Sequence, residues 1–201
     1  MTTASKGDGN RRARGQRTRL AILQAARDQF HRLGYDAASV RGIAAAAKID
    51  PSMVMRYYGS KEGLFTAAMD VDLRLPDVSD VPAAERGHRL VEHFIARWEG
   101  NPADDVLVLL LRSAVTNESA RARMVSVFAE QLATSVARIS GPETATRRAT
   151  LIASQMLGLA LCRYVLALPG AVGAPAEQLV ADLGPTVQRY LSAPLPPVRP
   201  A

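Results

Sequence analysis

Only one cysteine, Cys162, stands in the whole chain, so no disulfide framework can form, and its apolar helical neighbourhood reads as a buried structural thiol. Histidine is nearly as scarce. His31, His88 and His93 are dispersed, and the last two do not share a helical face, so no metal site is expected. No Gly-rich phosphate loop, nucleophile elbow or Cys–His pairing occurs, which leaves no catalytic residue to nominate and no cofactor to hold. The expectation is a protein that is not an enzyme. Runs of alternating β-branched residues are also missing, so the expected fold class is all-α. Aromatics make up only 5% of residues against 48% apolar overall, which leaves Ala, Leu and Val to build the cores. No apolar stretch follows the basic N-terminal residues, so no signal peptide is read there. The longest apolar run, residues 151–168, is interrupted by Ser154, Gln155 and Arg163 and reads as a buried helix, not a membrane span. A cytoplasmic protein with no membrane partner is expected.

What is present is unevenly placed. Residues 1–63 carry twelve Lys and Arg against five Asp and Glu, a net +7, while the rest carries thirteen against fourteen, a net −1, which together give the +6 of the chain. A basic face kept only for solubility would not be segregated this way. Neutralisation of nucleic-acid phosphates would use it.

The same basic part holds the most specific pattern, residues 39–64, SVRGIAAAAKIDPSMVMRYYGSKEGL. Ser39 is a good N-cap, and Val40, Ile43, Ala44 and Ala47 follow at helical spacing, so one narrow face is buried. Ile49 closes a turn. Asp50 caps a second helix with Pro51 at its first position, where a missing N–H costs nothing. Val54 and Tyr58 face inward, leaving Ser52, Met53, Arg56 and Tyr57 outside with Met55 at the margin, and Gly59 stops the helix. Two short capped helices at this spacing make a helix-turn-helix reader of DNA over residues 39–58. Upstream, residues 17–33 read as a bracing helix with the stripe Leu20, Leu23, Ala26 and Phe30 and with Gly34 after its end. Residues 1–16 read as a disordered basic arm, either lying along DNA or merely solubilising.

The segment RLAILQAARDQFHRLGYDAASVRGIAAAAKIDPSMVMRYYGSKEGLF resembles the N-terminal domain of the TetR family of bacterial transcriptional repressors. The resemblance covers residues 17–65 through four motifs: Ile22-Leu23-x-Ala25-Ala26-x-x-x-Phe30, Gly34-Tyr35-Asp36, Ser39-Val40-Arg41-x-Ile43-Ala44, and Tyr57-Tyr58-Gly59-Ser60-Lys61-Glu62-x-Leu64-Phe65. Lys48 stands where the family turn usually carries Gly, and Met55 where the recognition helix usually carries an outer aromatic. The resemblance implies a homodimer on a palindromic operator of double-stranded DNA, released by a small-molecule effector. The DNA-contacting set carried over is Ser39, Val40, Arg41, Ser52, Met53, Arg56, Tyr57 and Lys61. By motif position Arg41 meets a base edge, Ser52 and Met53 face bases, and Ser39, Tyr57 and Lys61 hold phosphates.

Downstream, punctuation separates further helices: from Ser60 to about Leu73, then, after a linker at 76–82, about 83–98, a helix opening on Asn101-Pro102, about 117–139, about 143–168, and about 176–191 with Pro185 inside. That makes about nine helices: a three-helix helix-turn-helix domain at 17–64, a ligand-binding and dimerisation domain at 65–192, and a Pro-rich tail at 193–201. The helix at 143–168 is apolar nearly all round and needs two partners. With the stripe of the last helix it suggests a protomer interface of Ile152, Leu159, Leu166, Leu179, Leu183, Val187 and Leu191. Trp98, Phe128 and Met156 are candidate lining of a pocket for a small hydrophobic or amphipathic effector, with Arg112, Gln131 and Arg163 as its polar anchors. Arg163, a charge on an apolar helix, needs a partner, and an acid such as Glu130 would serve without any ligand. An architectural DNA protein that needs no effector is the rival reading. It would require only residues 1–64, and a long apolar half follows them.

Overall fold

The computed structural model describes residues 4–100 and 106–197, with backbone only for residues 4–12. Ten helices run through the described residues: α1 (Ala4–Ala37), α2 (Val40–Ala46), α3 (Pro51–Tyr58), α4 (Lys61–Ala68), α5 (Arg86–Glu99), α6 (Val106–Ser113), α7 (118–140), α8 (142–165), α9 (Pro169–Val172) and α10 (Ala176–Ser192). No strand is present among the described residues. The chain divides into two compact units, one holding residues up to 70 with 113–123, the other 71–112 with 124 onward.

The first unit is built by local chemistry. Ser39, Asp50 and Ser60 cap α2, α3 and α4, accepting from the backbone N–H of Gly42, Ser52 and Gly63 respectively. Gly34 and Gly59 both sit at φ +74° and turn the chain at helix ends, as expected for C-terminal stops. The helices between these stops are only seven or eight residues long, too short to hold alone, so packing must hold them. A triad supplies it: Phe30 meets Phe65 edge-on at 4.9 Å, and Tyr35 meets Phe65 at 4.9 Å. Ile22, Ala26, Ile43, Ala44, Val54, Leu64 and Ala68 are buried around it.

Two expectations are corrected here. Leu20 is 61% exposed; the buried stripe of α1 is Ile22, Ala25, Ala26 and Phe30, two residues out of step with the expected start. Helix α1 also begins at Ala4, so residues 4–16 are helical and not a disordered arm. Ala, Arg, Lys and Gln are good helix formers and extend a helix already nucleated by the buried turns that follow. Residues 1–3 lie outside the described residues.

In the second unit α5 crosses α10 closely. Gly87 N–H donates to Gln188 Oε1 at 2.8 Å, and a Cβ on Gly87 would lie 2.4 Å from the Gln188 nitrogen. Leu90, Val91 and Ile95 of α5 pack with Val136, Ala149, Ile152, Leu179, Val187 and Leu191 in one core. Buried Arg148 closes the end of α10, donating to Tyr190 O at 2.6 Å and Ala193 O at 3.0 Å. A cation on those free carbonyls also suits the helix dipole. Helix α7 contains a π-turn at Phe128–Ala133 and α8 ends in another at Leu161–Val165. Helix α4 stops at Ala68, well short of Leu73, and residues 70–78 form an irregular strap that turns at Arg74, φ +50°. Pro169, expected only as a stop, opens the short α9. Pro185 stays inside an unbroken α10. The expected start at Asn101-Pro102 and residues 198–201 of the expected tail lie outside the described residues.

Lys48 ends the turn between α2 and α3 at φ +56°, a conformation that costs an L side chain about 1 kcal/mol. Its amide donates to Ala45 O at 3.1 Å, a bond that glycine keeps. The Lys48→Gly variant should therefore gain about 0.5–1 kcal/mol in urea unfolding at unchanged m-value.

Candidate nucleic-acid interface and ligand cavity

On the first unit, the expected DNA residues fall into two groups. Arg41, Ser52 and Arg56 are exposed on α2 and α3. Ser39 is exposed too, and its hydroxyl oxygen accepts from Gly42 N–H at 3.0 Å while its own O–H stays available to donate. Val40 and Tyr57 are half-buried. Lys61 is half-buried: Nζ donates to Asp36 O at 3.1 Å and sits 4.5 Å from the Tyr35 ring centre, leaving two of its three donors for other acceptors. The two methionines exchange places. Met53 is half-buried and Met55 is 45% exposed, so the outer face of α3 is Ser52, Met55 and Arg56.

One residue was missed. The Arg19 guanidinium lies 5.0 Å from the Tyr57 ring centre, and Arg56 lies 5.4 Å from the same ring. Two cations on one aromatic ring need an anion to offset them. Neither appears in the ion pairs of the described residues, Arg89–Glu92, Arg121–Glu118, Arg123–Asp70 and Arg163–Glu99. Tyr58 fixes the arrangement by donating its hydroxyl to Arg19 O at 3.1 Å, and burial pushes that hydroxyl's pKa above its ordinary value. Only the contact across 39 residues of chain reveals Arg19; on its own helix it is one arginine among several.

The second unit encloses a cavity of about 120 Å³. Phe94 and Trp98 of α5, Met124 and Phe128 of α7, Met156 of α8, and Leu73 and Leu75 of the strap supply much of its wall. Trp98 stacks on Tyr164 at 5.3 Å and 13°. Tyr164 donates to Glu99 Oε1 at 3.1 Å, and burial first, then Glu99, push its pKa up to about 12, so it stays a neutral donor. Of the six expected pocket residues, Trp98, Phe128 and Met156 line the cavity, and Arg112, Gln131 and Arg163 do not. Arg112 is exposed. Arg163 donates to Glu99 Oε1 at 2.9 Å and to the carbonyls of Ala171, Val172 and Ala174, so it ties α8 to the α9 loop. Its acid is Glu99, not Glu130. Gln131 bonds the strap, accepting from Leu73 N–H at 2.7 Å and donating to Val71 O at 2.8 Å. The polar residues at the cavity wall are His93, whose Nε2 is 2.9 Å from Leu73 O, and Arg97, 3.5 Å from Asp72 O. The strap carried an unread signal: buried Val71 and half-buried Leu73 and Leu75 alternate with exposed Asp72 and Arg74 before Pro76.

Of the expected interface residues, Ile152, Leu179, Val187 and Leu191 are buried in the unit's own core and are unavailable to a partner. The close approach of α5 consumes that face of α10. Leu159 and Leu183 are half-buried against the same core. Leu166 is 56% exposed, in line with Leu161, Leu168 and Val172 nearby. Cys162 is half-buried, not fully buried as expected.

Comparison with known proteins agrees with this geometry. Residues 22–68 match the model of bacterial regulatory proteins of the tetR family, and residues 84–191 match the tetracyclin repressor-like C-terminal domain. An HTH-type transcriptional repressor of Mycobacterium tuberculosis and a regulator of Mycobacterium bovis are each 39% identical over 71 residues, 35% of this chain. The match spans 38% of those relatives' own length. A TetR-family regulator from Streptomyces coelicolor is 33% identical in solved structure, covering 88% of this chain and 95% of that one at a TM-score of 0.61. AibR, crystallised with isovaleryl coenzyme A and operator DNA, shares the fold at 22% identity and a TM-score of 0.56, over 85% of this chain and 97% of its own.

Exposed Arg41 and the Arg19–Tyr57–Arg56 cluster should separate in binding experiments. Arg41→Ala should cost about 1–3 kcal/mol and relax base preference at one position. Arg19→Ala should weaken all sequences alike and lower the salt slope by about one. Titrations on base-substituted duplexes at several salt concentrations check both.

Proposed function

Because the chain belongs to the TetR family of DNA-binding transcriptional regulators, we propose that it is a homodimeric repressor released from a palindromic operator by a small uncharged apolar effector. The capped helix pair with Arg41 exposed supports the DNA half of this reading. Two such heads in one dimer read successive major grooves, about 34 Å apart. The cavity carries the effector half. At about 120 Å³ it is close to the roughly 150 Å³ that holds benzene, so a ring or short branched chain is the group it takes. Among the described residues no carboxylate lines it, and His93 and Arg97 bond strap carbonyls. An effector that prefers the non-binding state by about 1.4 kcal/mol releases DNA tenfold. The partner face in this reading is the exposed apolar end of α8 and its loop, Leu161 and Leu166 with Gly158 beside them. As a repressor it acts in the cytoplasm, and no helix among the described residues is long and apolar enough to cross a membrane.

Two measurements check this. The DNA preceding its own coding region should be shifted by the protein, and toluene should both perturb Trp98 emission and lower that affinity. A protein that holds DNA equally with and without any apolar compound would be an architectural binder instead. Sedimentation should give a dimer at micromolar concentration, and Leu161→Glu with Leu166→Glu should give a monomer of unchanged helicity. A wild-type monomer would end the dimer reading.

A further inference from the structure

Resting on the effector reading above, we propose that Gln131 reports the filling of the cavity, holding the strap at Val71–Leu73 when the cavity is empty and releasing it when a ligand enters. Gln131 and Phe128 lie on the same π-turn of α7. Phe128 and Leu132 face the cavity, while the Gln131 amide bonds the strap twice, at 2.7 and 2.8 Å. The opposite partner is equally involved: Leu73, whose N–H Gln131 accepts, has its side chain in the cavity wall, and so does Leu75. A ligand therefore touches both sides of one pair of hydrogen bonds.

The space decides the direction. A cavity of about 120 Å³ is close to the roughly 150 Å³ that accommodates benzene, so a ring fills it and presses on whichever wall is softest. Helical walls resist, because each turn is tied by its own backbone bonds. The strap has no such ladder over residues 71–78 and depends on side chains from α5 and α7, namely His93, Arg97 and Gln131. The π-turn is the other soft wall, since i→i+5 turns carry an extra residue and are easily reset. Both soft walls meet at Gln131. Hydrogen bonds at this length are lost within about 0.5–1 Å of stretch, so a small displacement of the strap opens them. In the chain the strap directly follows Asp70, where the first segment of the DNA-reading unit ends.

The test uses toluene as the probe, with wild-type protein and the Gln131→Leu and Gln131→Glu variants. Trp98 emission reads occupancy, amide exchange of Leu73 reads the latch, and a shift of the upstream DNA reads the output. Toluene midpoints should agree within twofold in all three proteins. In the wild type, toluene should accelerate Leu73 exchange tenfold or more while Val187 stays protected. In Gln131→Leu, Leu73 should exchange fast throughout, and toluene should no longer change DNA affinity by more than twofold. Gln131→Glu keeps the acceptor for Leu73 N–H and should retain part of the response. Toluene binding that leaves wild-type Leu73 exchange unchanged or slowed overturns the latch, as does a full DNA response in Gln131→Leu. No Trp98 change in any protein overturns the ring-sized cavity itself, and the latch with it. Faster Leu73 exchange with no DNA response in the wild type upholds the latch and overturns effector-driven release.

Discussion

The close crossing of α5 and α10 sets the rest of the second unit. Two glycines permit it. A Cβ on Gly87 would strike the Gln188 backbone at 2.4 Å, and one on Gly184 would strike the His88 ring at 2.5 Å. With the backbones this near, Leu90, Val91 and Ile95 interlock with Leu179, Val187 and Leu191, which are buried within the unit, while Val180, Leu183 and Tyr190 of α10 are only half-buried. Phe94 and Trp98 fall on the flank of α5 beyond the contact. The space they border lies against α7 and α8 and reaches back to Leu90 and Val187 of the crossing itself. A dry apolar void of this kind loses dispersion contacts on every wall, and a ligand of matching shape restores them.

The first unit follows another logic, and its legibility in the sequence reflects that. Its helices begin at Ser39, Asp50 and Ser60 and its turns fall at Gly34 and Gly59, signals acting over two to four residues. Capping and left-handed turns are local physics, so residues 34–60 could be read almost position by position. Leu20 failed because amphipathic spacing alone offers two nearly equivalent stripes on α1. The folded unit buries the one that runs through Ile22 and Ala25, with Ala26 and Phe30 common to both.

The second unit was legible in kind but not in partners. Trp98, Phe128 and Met156 were recognisable as large or adaptable apolar groups on helices. The anchors were misplaced because a polar side chain on an apolar helix says that it needs a partner and not which one. Arg163 finds Glu99 across 64 residues of chain, and Gln131 finds Val71 across 60. The two π-turns left no sequence trace, since one extra residue in a helix keeps the composition of the helix. The strap was hidden by its neighbour: apolar residues after α4 look like another turn until the period of two is noticed.

The arginines show how charge divides between the two units. In the second unit they bind backbone: Arg86 donates to Val81 O and Ser79 O, Arg148 to Tyr190 O and Ala193 O, Arg163 to three carbonyls of the α9 loop and to Glu99. Such cations stabilise by closing chain ends, and a bound carboxylate would have to displace those bonds and be desolvated itself. In the first unit Arg14, Arg17, Arg19, Arg41 and Arg56 are exposed. Their energy is therefore spent only when a polyanion arrives. This division accounts for the excess charge of the sequence sitting entirely before residue 64, on the unit whose arginines are left exposed.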